Sequence, residues 1–460
     1  MKKHLFFFLS LTILTALGMS AAAPKYIFMF IGDGMGMGHI MATETYNRLT
    51  LGNKQPILML QFPVASFALT YSANSPITDS AAAGTALATG YKTNNGMIGV
   101  LPDTTKVYSV ATELQKKGYG VGVITSVAFD DATPASYYAH QPSRKMFEPI
   151  CADGARSGFN FIGGAYTHVA EKHPERCEAV FADFRKNGYT VAHGLKELSK
   201  AKPNNKILLT SDKPVTPNEV GYTIDSIPGA MKLSEMTHAC LSHLQRVSPD
   251  HFFMMVEGGN IDHAGHGNDG GAVVKEVLNY NDCLRIAYDF YLQHPDETLI
   301  IVTADHDTGG LTIGLKDGNN NPNYKGIDYQ RISKEQFNDF CVKNEKYTWQ
   351  QMKEALNEKL GLWSHIGISK EEEARMEESF NHMKSHSDGT QKTLYKEFDN
   401  FTAIVFDILN HKNGFGFTTF SHTGNPVPVF AIGNGSELFK SDNNNINIPA
   451  KIRKLTEIND

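Results

Sequence analysis

The chain has 460 residues, 41% hydrophobic and 20% charged, an ordinary globular composition with enough length for a large core. Its formal charge of −6 is mildly acidic for this size and excludes an extended nucleic-acid surface. Length alone suits two or three domains, or one large α/β domain carrying insertions.

The first residues read as a secretory signal peptide rather than as part of the fold. Lys2 and Lys3 precede an apolar run from Leu5 to Leu17, and Ser20-Ala21-Ala22-Ala23 supplies small residues for cleavage. The alternative, a short membrane anchor, suffers from a run too short to span a bilayer comfortably, and no other stretch reaches about 18 apolar residues. The first cysteine is Cys151, so no lipid-anchoring cysteine stands near the cleavage site. Removal of residues 1–22 takes away two lysines and no acids, shifting the formal charge from −6 to −8. A mature chain of residues 23–460, periplasmic or secreted and without a membrane anchor, is expected. Export makes a disulfide feasible. Of Cys151, Cys177, Cys240, Cys283 and Cys341, the first two form the best candidate pair, with a fully reduced, buried set the equal alternative. None forms a CxxC pair, which argues against a thiolate zinc site.

Along the chain, short apolar runs alternate with helical patterns. The runs are Tyr26–Ile31, Val64–Tyr71, Gly120–Thr125, Lys206–Thr210, His251–Val256, Thr298–Thr303 and Val427–Ile432. Rich in Val, Ile, Phe and Met and almost free of charge, they read as strands buried on both faces. Helical stretches such as Ser109–Lys117, Gly229–Arg246 and Gly271–Gln293 lie between them. The alternation predicts a three-layer α/β/α sandwich with a mainly parallel central sheet.

From about Lys316 to Lys412 the strand signals largely vanish. Three helix starts carry capping boxes, Ser333 with Gln336, Thr348 with Gln351 and Ser369 with Glu372. The charged run Lys370–Glu378 reads as a solvated helix face. A helical insertion at about 316–412 is therefore expected, either capping a site and limiting which groups enter, or serving as a remote decoration or dimer surface.

Ligands of open α/β sheets gather beyond the carboxyl ends of strands. After Tyr26–Ile31 come Gly32-Asp33-Gly34-Met35-Gly36, and after His251–Val256 the segment Glu257 to His266 with Asp262 and His263. After Thr298–Thr303 come Ala304-Asp305-His306-Asp307, and Ser421-His422-Thr423-Gly424 precedes Val427–Ile432. A lone Asp in a glycine turn is usually a turn residue. Four such segments together supply imidazole and carboxylate donors, the zinc repertoire without Cys, and crowded carboxylates repel unless a cation neutralises them. A dinucleotide fingerprint fails because Met37 stands where its third glycine belongs. In Thr78-Asp79-Ser80-Ala81-Ala82-Ala83-Gly84 the alanines favour a helix starting near Ser80. A serine there meets backbone N–H groups that hold phosphate, although Asp79 or Ser80 could equally be only an N-cap.

These residues resemble the alkaline phosphatase family, in chain order from Asp33 to about Gly433. Thr78-Asp79-Ser80-Ala81-Ala82 is similar to its nucleophile motif. Asp131-Ala132-Thr133-Pro134-Ala135 with Ser143-Arg144-Lys145 is similar to its magnesium and phosphate-arginine segment. Glu257, Asp262 and His266, then Asp305-His306, then His422-Thr423-Gly424 follow its spacing. The resemblance implies phosphate-monoester hydrolysis through a phosphoserine at Ser80. It implies one zinc on Asp262, His266 and His422 and a second on Asp33, Asp305 and His306. A magnesium would sit on Asp33, Asp131, Thr133 and Glu257, and Arg144 would grip phosphate. His263 stands where relatives carry Lys or His and would contact phosphate through water. Its pairing with Asp131 mixes two branches and leaves the third metal open between magnesium, which is favoured, and zinc or cobalt. Family members are often dimers, and no interface can be assigned from the sequence.

Such a site suits the chemistry, because two metals about 4 Å apart stabilise the attacking and leaving oxygens together. The same layout serves sulfatases, but Ser80-Ala81-Ala82-Ala83-Gly84 lacks the Pro and Arg of their motif. A phosphodiesterase, or a secreted phosphate- or metal-binding protein on an inactive scaffold, are the remaining alternatives.

Overall fold

The computed structural model describes residues 23–458 apart from 203, 213–219, 316–322, 386–388 and 442–443. The expected signal peptide lies outside the described residues. No helix among the described residues is long and apolar enough to cross a membrane.

A nine-stranded sheet forms the centre. In chain order its strands are β1 (Tyr26–Gly32), β2 (Val64–Ala68), β3 (Gly120–Thr125), β4 (Phe161–Gly164), β5 (Thr190–His193), β6 (Ile207–Thr210), β7 (Phe252–Glu257), β8 (Thr298–Ala304) and β9 (Val427–Gly433). Their order across the sheet is β2-β9-β8-β1-β7-β3-β4-β6-β5. β9 pairs antiparallel with β8 and β2, and every other pairing is parallel. Every residue of β1, β7 and β8 is buried, which is why these segments are continuous apolar runs rather than alternating ones. Helices Leu233–Val247 and Gly270–Gln293 pack on the sheet. Each fully buried large side chain contributes roughly 1.5–3 kcal/mol.

All seven expected strands are present, with the second ending at Ala68 rather than Tyr71. β4 and β5 escape sequence reading. β4 is half glycine, and β5 is a partly exposed edge strand of mixed polarity, so neither shows the continuous apolar run of the equally short β6.

Register places the functional segments. Ile31 lies beside Glu257, Gly32 beside Ala304, and Thr125 beside Glu257. The carboxyl ends of β8, β1, β7 and β3 therefore open side by side. β9 runs the opposite way, so the segment preceding Val427 arrives at this same edge.

Helices Lys334–Lys343, Trp349–Leu360 and Lys370–Lys384 begin after Ser333, Thr348 and Ser369, as their caps predict. The boxes at Thr348 and Ser369 close from both sides. Ser333 accepts from Gln336 N, but its own N–H donates to Asp225 Oδ1 at 2.6 Å instead of to Gln336. These helices and Asn400–Asn413 surround a separate apolar cluster containing Phe337, Leu356, Phe380, Phe401 and Leu409. The charged helix face is only partly solvated, since Glu372 pairs with Lys412 at 2.8 Å and Glu373 accepts from Trp363 Nε1 at 2.9 Å. The region also contains a hairpin that the sequence reading missed, Thr390–Lys392 with Glu397–Asp399.

The proposed Cys151–Cys177 disulfide is absent, and all five cysteines are free and buried. Cys151 Sγ instead faces Asp130 Oδ2 at 3.4 Å and Thr167 Oγ1 at 3.6 Å. Burial pushes the thiols of Cys151 and Cys240 well up and Cys283 to about 12, which suppresses the reactive thiolate. The native protein should therefore leave thiol reagents at mildly alkaline pH unconsumed and release five thiols in guanidinium without reductant. Fewer than five would reveal an oxidised pair.

Candidate active site

Glu257 ends β7, while Asp33, Asp262, Asp305 and His306 follow the carboxyl ends of β1, β7 and β8, and all are buried. The first turn shows why glycine recurs there. Gly34 has φ +70°, and a Cβ on Gly36 would lie 1.8 Å from Asp307 Oδ1. The glycines let the turn press against the acidic segment, and Gly34 N–H donates to Asp305 Oδ1 at 3.1 Å.

Three imidazoles meet here. His266 Nδ1 faces the Phe420 carbonyl at 2.6 Å, and His422 Nδ1 faces the Thr78 carbonyl at 2.8 Å. A carbonyl only accepts, so each Nδ1 carries the proton and each Nε2 presents a lone pair. Those two Nε2 atoms lie 3.0 Å apart, and Asp262 Oδ1 is 3.4 Å from the first and 3.7 Å from the second. The His306 ring stacks on His422 at 3.6 Å. Thr308 Oγ1 donates to Asp262 Oδ1 at 2.5 Å, so it receives the proton of His306 Nδ1, 3.1 Å away. His306 Nε2 is thereby left as a third lone pair, 3.2 Å from Asp305 Oδ2 and 3.4 Å from Asp33 Oδ1.

Two compact donor groups result, Asp262 with His306 and His422, and Asp33 with Asp305 and His306. In each the ligand atoms lie within 4.8 Å of one another. Asp33 Oδ1, Asp305 Oδ2 and both Glu257 oxygens are buried with no hydrogen-bond partner. Burial first, then neighbouring carboxylates, push Asp33 and Asp305 well above the usual carboxylate range. Burial and Asp131 push Glu257 to about 7. Burial works the same way on Asp262, but His266, His422, His306 and His263 outweigh it and hold this carboxyl low. Orphaned oxygens and facing lone pairs of this kind are what a cation site requires.

Ser80 opens the helix Ser80–Thr89, and the cap is Asp79, which accepts from Ala82 N. Ser80 is buried, with Oγ 3.1 Å from His306 Nε2. Asp79 does more than cap, because its Oδ2 accepts from Gly96 N at 2.9 Å and from Arg144 Nη1 at 3.4 Å. Arg144 Nη2 donates to Asp131 Oδ1 at 2.9 Å.

Asp131, expected in the third metal set, pairs here with Arg144 and His168. One oxygen serves Arg144 and Ala132 N, and the other faces His168 Nε2 at 3.1 Å. Burial opposes the charge on both groups, yet their mutual attraction lowers Asp131 and raises His168 to about 10. Of the expected third set, Thr133 donates to Asp33 Oδ2 at 3.4 Å, and Glu257 lies at the end of the strand beside β1.

His263 is buried against Tyr395, with ring centres 4.2 Å apart. Tyr395 Oη donates to Asp262 Oδ2 at 3.2 Å. Burial and the charge of Asp262 push this phenol up, so it stays a donor. Tyr395, His168, Thr308 and the second role of Asp79 were not read from the sequence. Only Asp79 left a trace there, as a candidate cap.

A family model described as Alkaline phosphatase matches residues 24–168 and 161–458. Alkaline phosphatase 4 of Bacillus subtilis (strain 168) is 30% identical over 446 residues, spanning 94% of this chain and 89% of that protein. A cold-active alkaline phosphatase from a psychrophilic Shewanella sp. shares the fold with TM-score 0.78 and 27% identity, over 94% of this chain and 99% of that one. A mutant TAB5 alkaline phosphatase with Mg bound matches in fold with TM-score 0.66 at 24% identity, over 96% and 100% of the two chains. Fold and site thus define a metal-competent α/β hydrolase. The chain belongs to the alkaline phosphatase family, whose members hydrolyse phosphate monoesters.

The shift at Glu257 gives a test on metal-free protein. As pH rises between 4.5 and about 7 the unfolded chain has released a proton that folded Glu257 retains, so this group costs stability progressively with pH. The stability of chelated Glu257→Gln relative to chelated wild type should therefore grow by roughly 2–3 kcal/mol from about pH 5 to about pH 8, measured by urea denaturation. A difference flat with pH would mean that Glu257 titrates normally.

Proposed function

We propose that the mature chain is exported and hydrolyses small phosphate monoesters through a phosphoserine at Ser80. One contact carries this reading. Ser80 Oγ touches His306 Nε2 at 3.1 Å, and that nitrogen also faces Asp305 and Asp33. The nucleophile therefore borders the donor set that calls for a cation.

Asp262, His266 and His422 suit one zinc, and Asp33, Asp305 and His306 a second, since both sets combine imidazole and carboxylate without thiolate. Asp33, Asp131, Thr133 and Glu257 offer oxygen alone, which suits magnesium, the ion named in the TAB5 mutant structure. Bound ions would neutralise these carboxylates, favour the deprotonated nucleophile and stabilise the leaving oxygen.

The chain's own residues do the rest. Ser80 Oγ, at the first position of a ten-residue helix, attacks phosphorus with backbone N–H groups near the incoming phosphate. The alcohol leaves, and water then attacks phosphoserine from the side it vacated, freeing Ser80 and inorganic phosphate. Arg144 receives two phosphoryl oxygens on its planar fork, held toward the site by Asp79 and Asp131. His263 contacts phosphate through water.

Hydrolysis of p-nitrophenyl phosphate at alkaline pH should disappear on chelation and return with zinc and magnesium. Ser80→Ala should lower kcat by at least about a thousandfold, and Arg144→Ala should lower kcat/KM by roughly 10- to 100-fold. Turnover of bis-p-nitrophenyl phosphate but not of the monoester would move the assignment to a diesterase.

A further inference from the structure

The hairpin from the predominantly helical region reaches the metal-competent site. Leu394 and Tyr395 form its tip between Thr393 and Lys396, closed by Thr393 N–H to the Lys396 carbonyl at 2.9 Å. Its base is fixed at several points. Phe398 is buried under the Lys334 ammonium, 4.6 Å from the ring centre. Lys334 Nζ also donates to Gln391 Oε1 at 2.8 Å, and Asp399 N donates to Asn338 Oδ1 at 2.8 Å. Lys396 Nζ lies 3.4 Å from Asp339. The tip is therefore a supported platform rather than a loose loop.

Tyr395 has its hydroxyl on Asp262 and its ring on His263, yet keeps 39% of its surface open. It lines a cleft of about 550 Å³ whose walls also include Arg144, His422 and Phe147. Phe147 is braced from behind by His168, stacked at 4.7 Å and 23°, and Asp131 in turn holds His168. A phosphoryl group at Arg144 and Ser80 would project its alcohol into this cleft. There the apolar surface includes Leu394 and two aromatic rings, each ring backed by an imidazole. The size suits a nucleoside-scale group, and stacking accepts any base because every base has a π-face.

We propose that Tyr395 and Phe147 form an aromatic leaving-group subsite that favours phosphate monoesters of ring-bearing alcohols, nucleoside 5′-monophosphates foremost. The inference rests on the phosphomonoesterase reading. It assigns to the hairpin a discrimination that the metal ligands cannot provide, since they meet only the phosphoryl end.

Matched esters isolate the ring. 5′-AMP and ribose 5-phosphate are both primary alkyl esters of ribose and differ chiefly in the base. Wild type should prefer 5′-AMP in kcat/KM by about tenfold, mostly through KM. Tyr395→Ala and Phe147→Ala should each pull that ratio toward one, and Tyr395→Phe, which keeps the ring, should preserve it. Because ribose 5-phosphate is measured on the same protein, any loss of metal cancels from the ratio. Benzyl against propyl phosphate distinguishes the two sources of a ring. A preference there as well assigns the platform to any aromatic alcohol, and a preference for 5′-AMP alone assigns it to nucleosides. Calorimetric titration of Ser80→Ala with 5′-AMP and ribose 5-phosphate reads the subsite without turnover. Wild-type ratios near one, ratios unmoved in both alanine variants, or equal calorimetric affinities would overturn the subsite. Failure of wild type to hydrolyse any of these esters, with 5′-AMP still bound more tightly, would instead remove the phosphomonoesterase reading and leave the platform standing.

Discussion

Five carboxylates and three imidazole lone pairs crowd the carboxyl edge of one sheet, and the protein has to keep them there. Asp33, Glu257 and Asp305 are buried with oxygens that no hydrogen bond satisfies, while His266 and His422 point Nε2 atoms at each other across 3.0 Å. Each feature costs free energy in the bare chain. The sheet meets that cost with rigidity, because β8, β1, β7 and β3 are buried along their full length and lie adjacent in register. A loop scaffold would relax and let the charges separate. The helix dipole at Ser80, the proton-fixing carbonyls of Phe420 and Thr78, and the glycines pressed on Asp307 all serve the same end.

What the sequence disclosed follows from how local each signal is. Strands such as β1, β7 and the short β6 are legible because their residues are buried on both faces, whereas β4 is half glycine and β5 is a partly exposed edge strand. The caps at Thr348 and Ser369 are legible because their partners stand three residues away. At Ser333 the neighbour from Asp225, more than a hundred positions distant, displaces the expected reciprocal bond, and no local pattern could announce it.

The site divides in the same way. Acids and histidines at strand ends were legible by type and place, and most of them converge. The residues that orient them were not. Thr308 sets the His306 tautomer, His168 occupies Asp131, and Tyr395 reaches Asp262 from 133 positions downstream. His168 and Tyr395 make their contacts only after distant segments fold together, and Thr308, two residues from His306, has its donor role fixed by Asp262, 46 positions away; each residue type is common elsewhere in the chain. Asp131 is the instructive case. Its oxygens are directed at Arg144 and His168, a matter of side-chain direction that spacing does not encode.

In the proposed mechanism, that direction bears on how phosphate would be held. Arg144 has a carboxylate on each terminal nitrogen before any substrate arrives, Asp79 at 3.4 Å and Asp131 at 2.9 Å. Asp79 is itself fixed by the first turn of the Ser80 helix and by Gly96 N–H, and Asp131 by His168. The guanidinium is thus tied to the same helix that carries Ser80, so the two groups proposed to meet one phosphoryl unit share a common frame. Preorganised donors of this kind need no rearrangement as charge develops on the phosphoryl oxygens, which is where electrostatic catalysis has its largest effect. In the proposed mechanism, sharing the cation with these acids would moderate ground-state binding, in exchange for an arginine already aimed when the transition state forms.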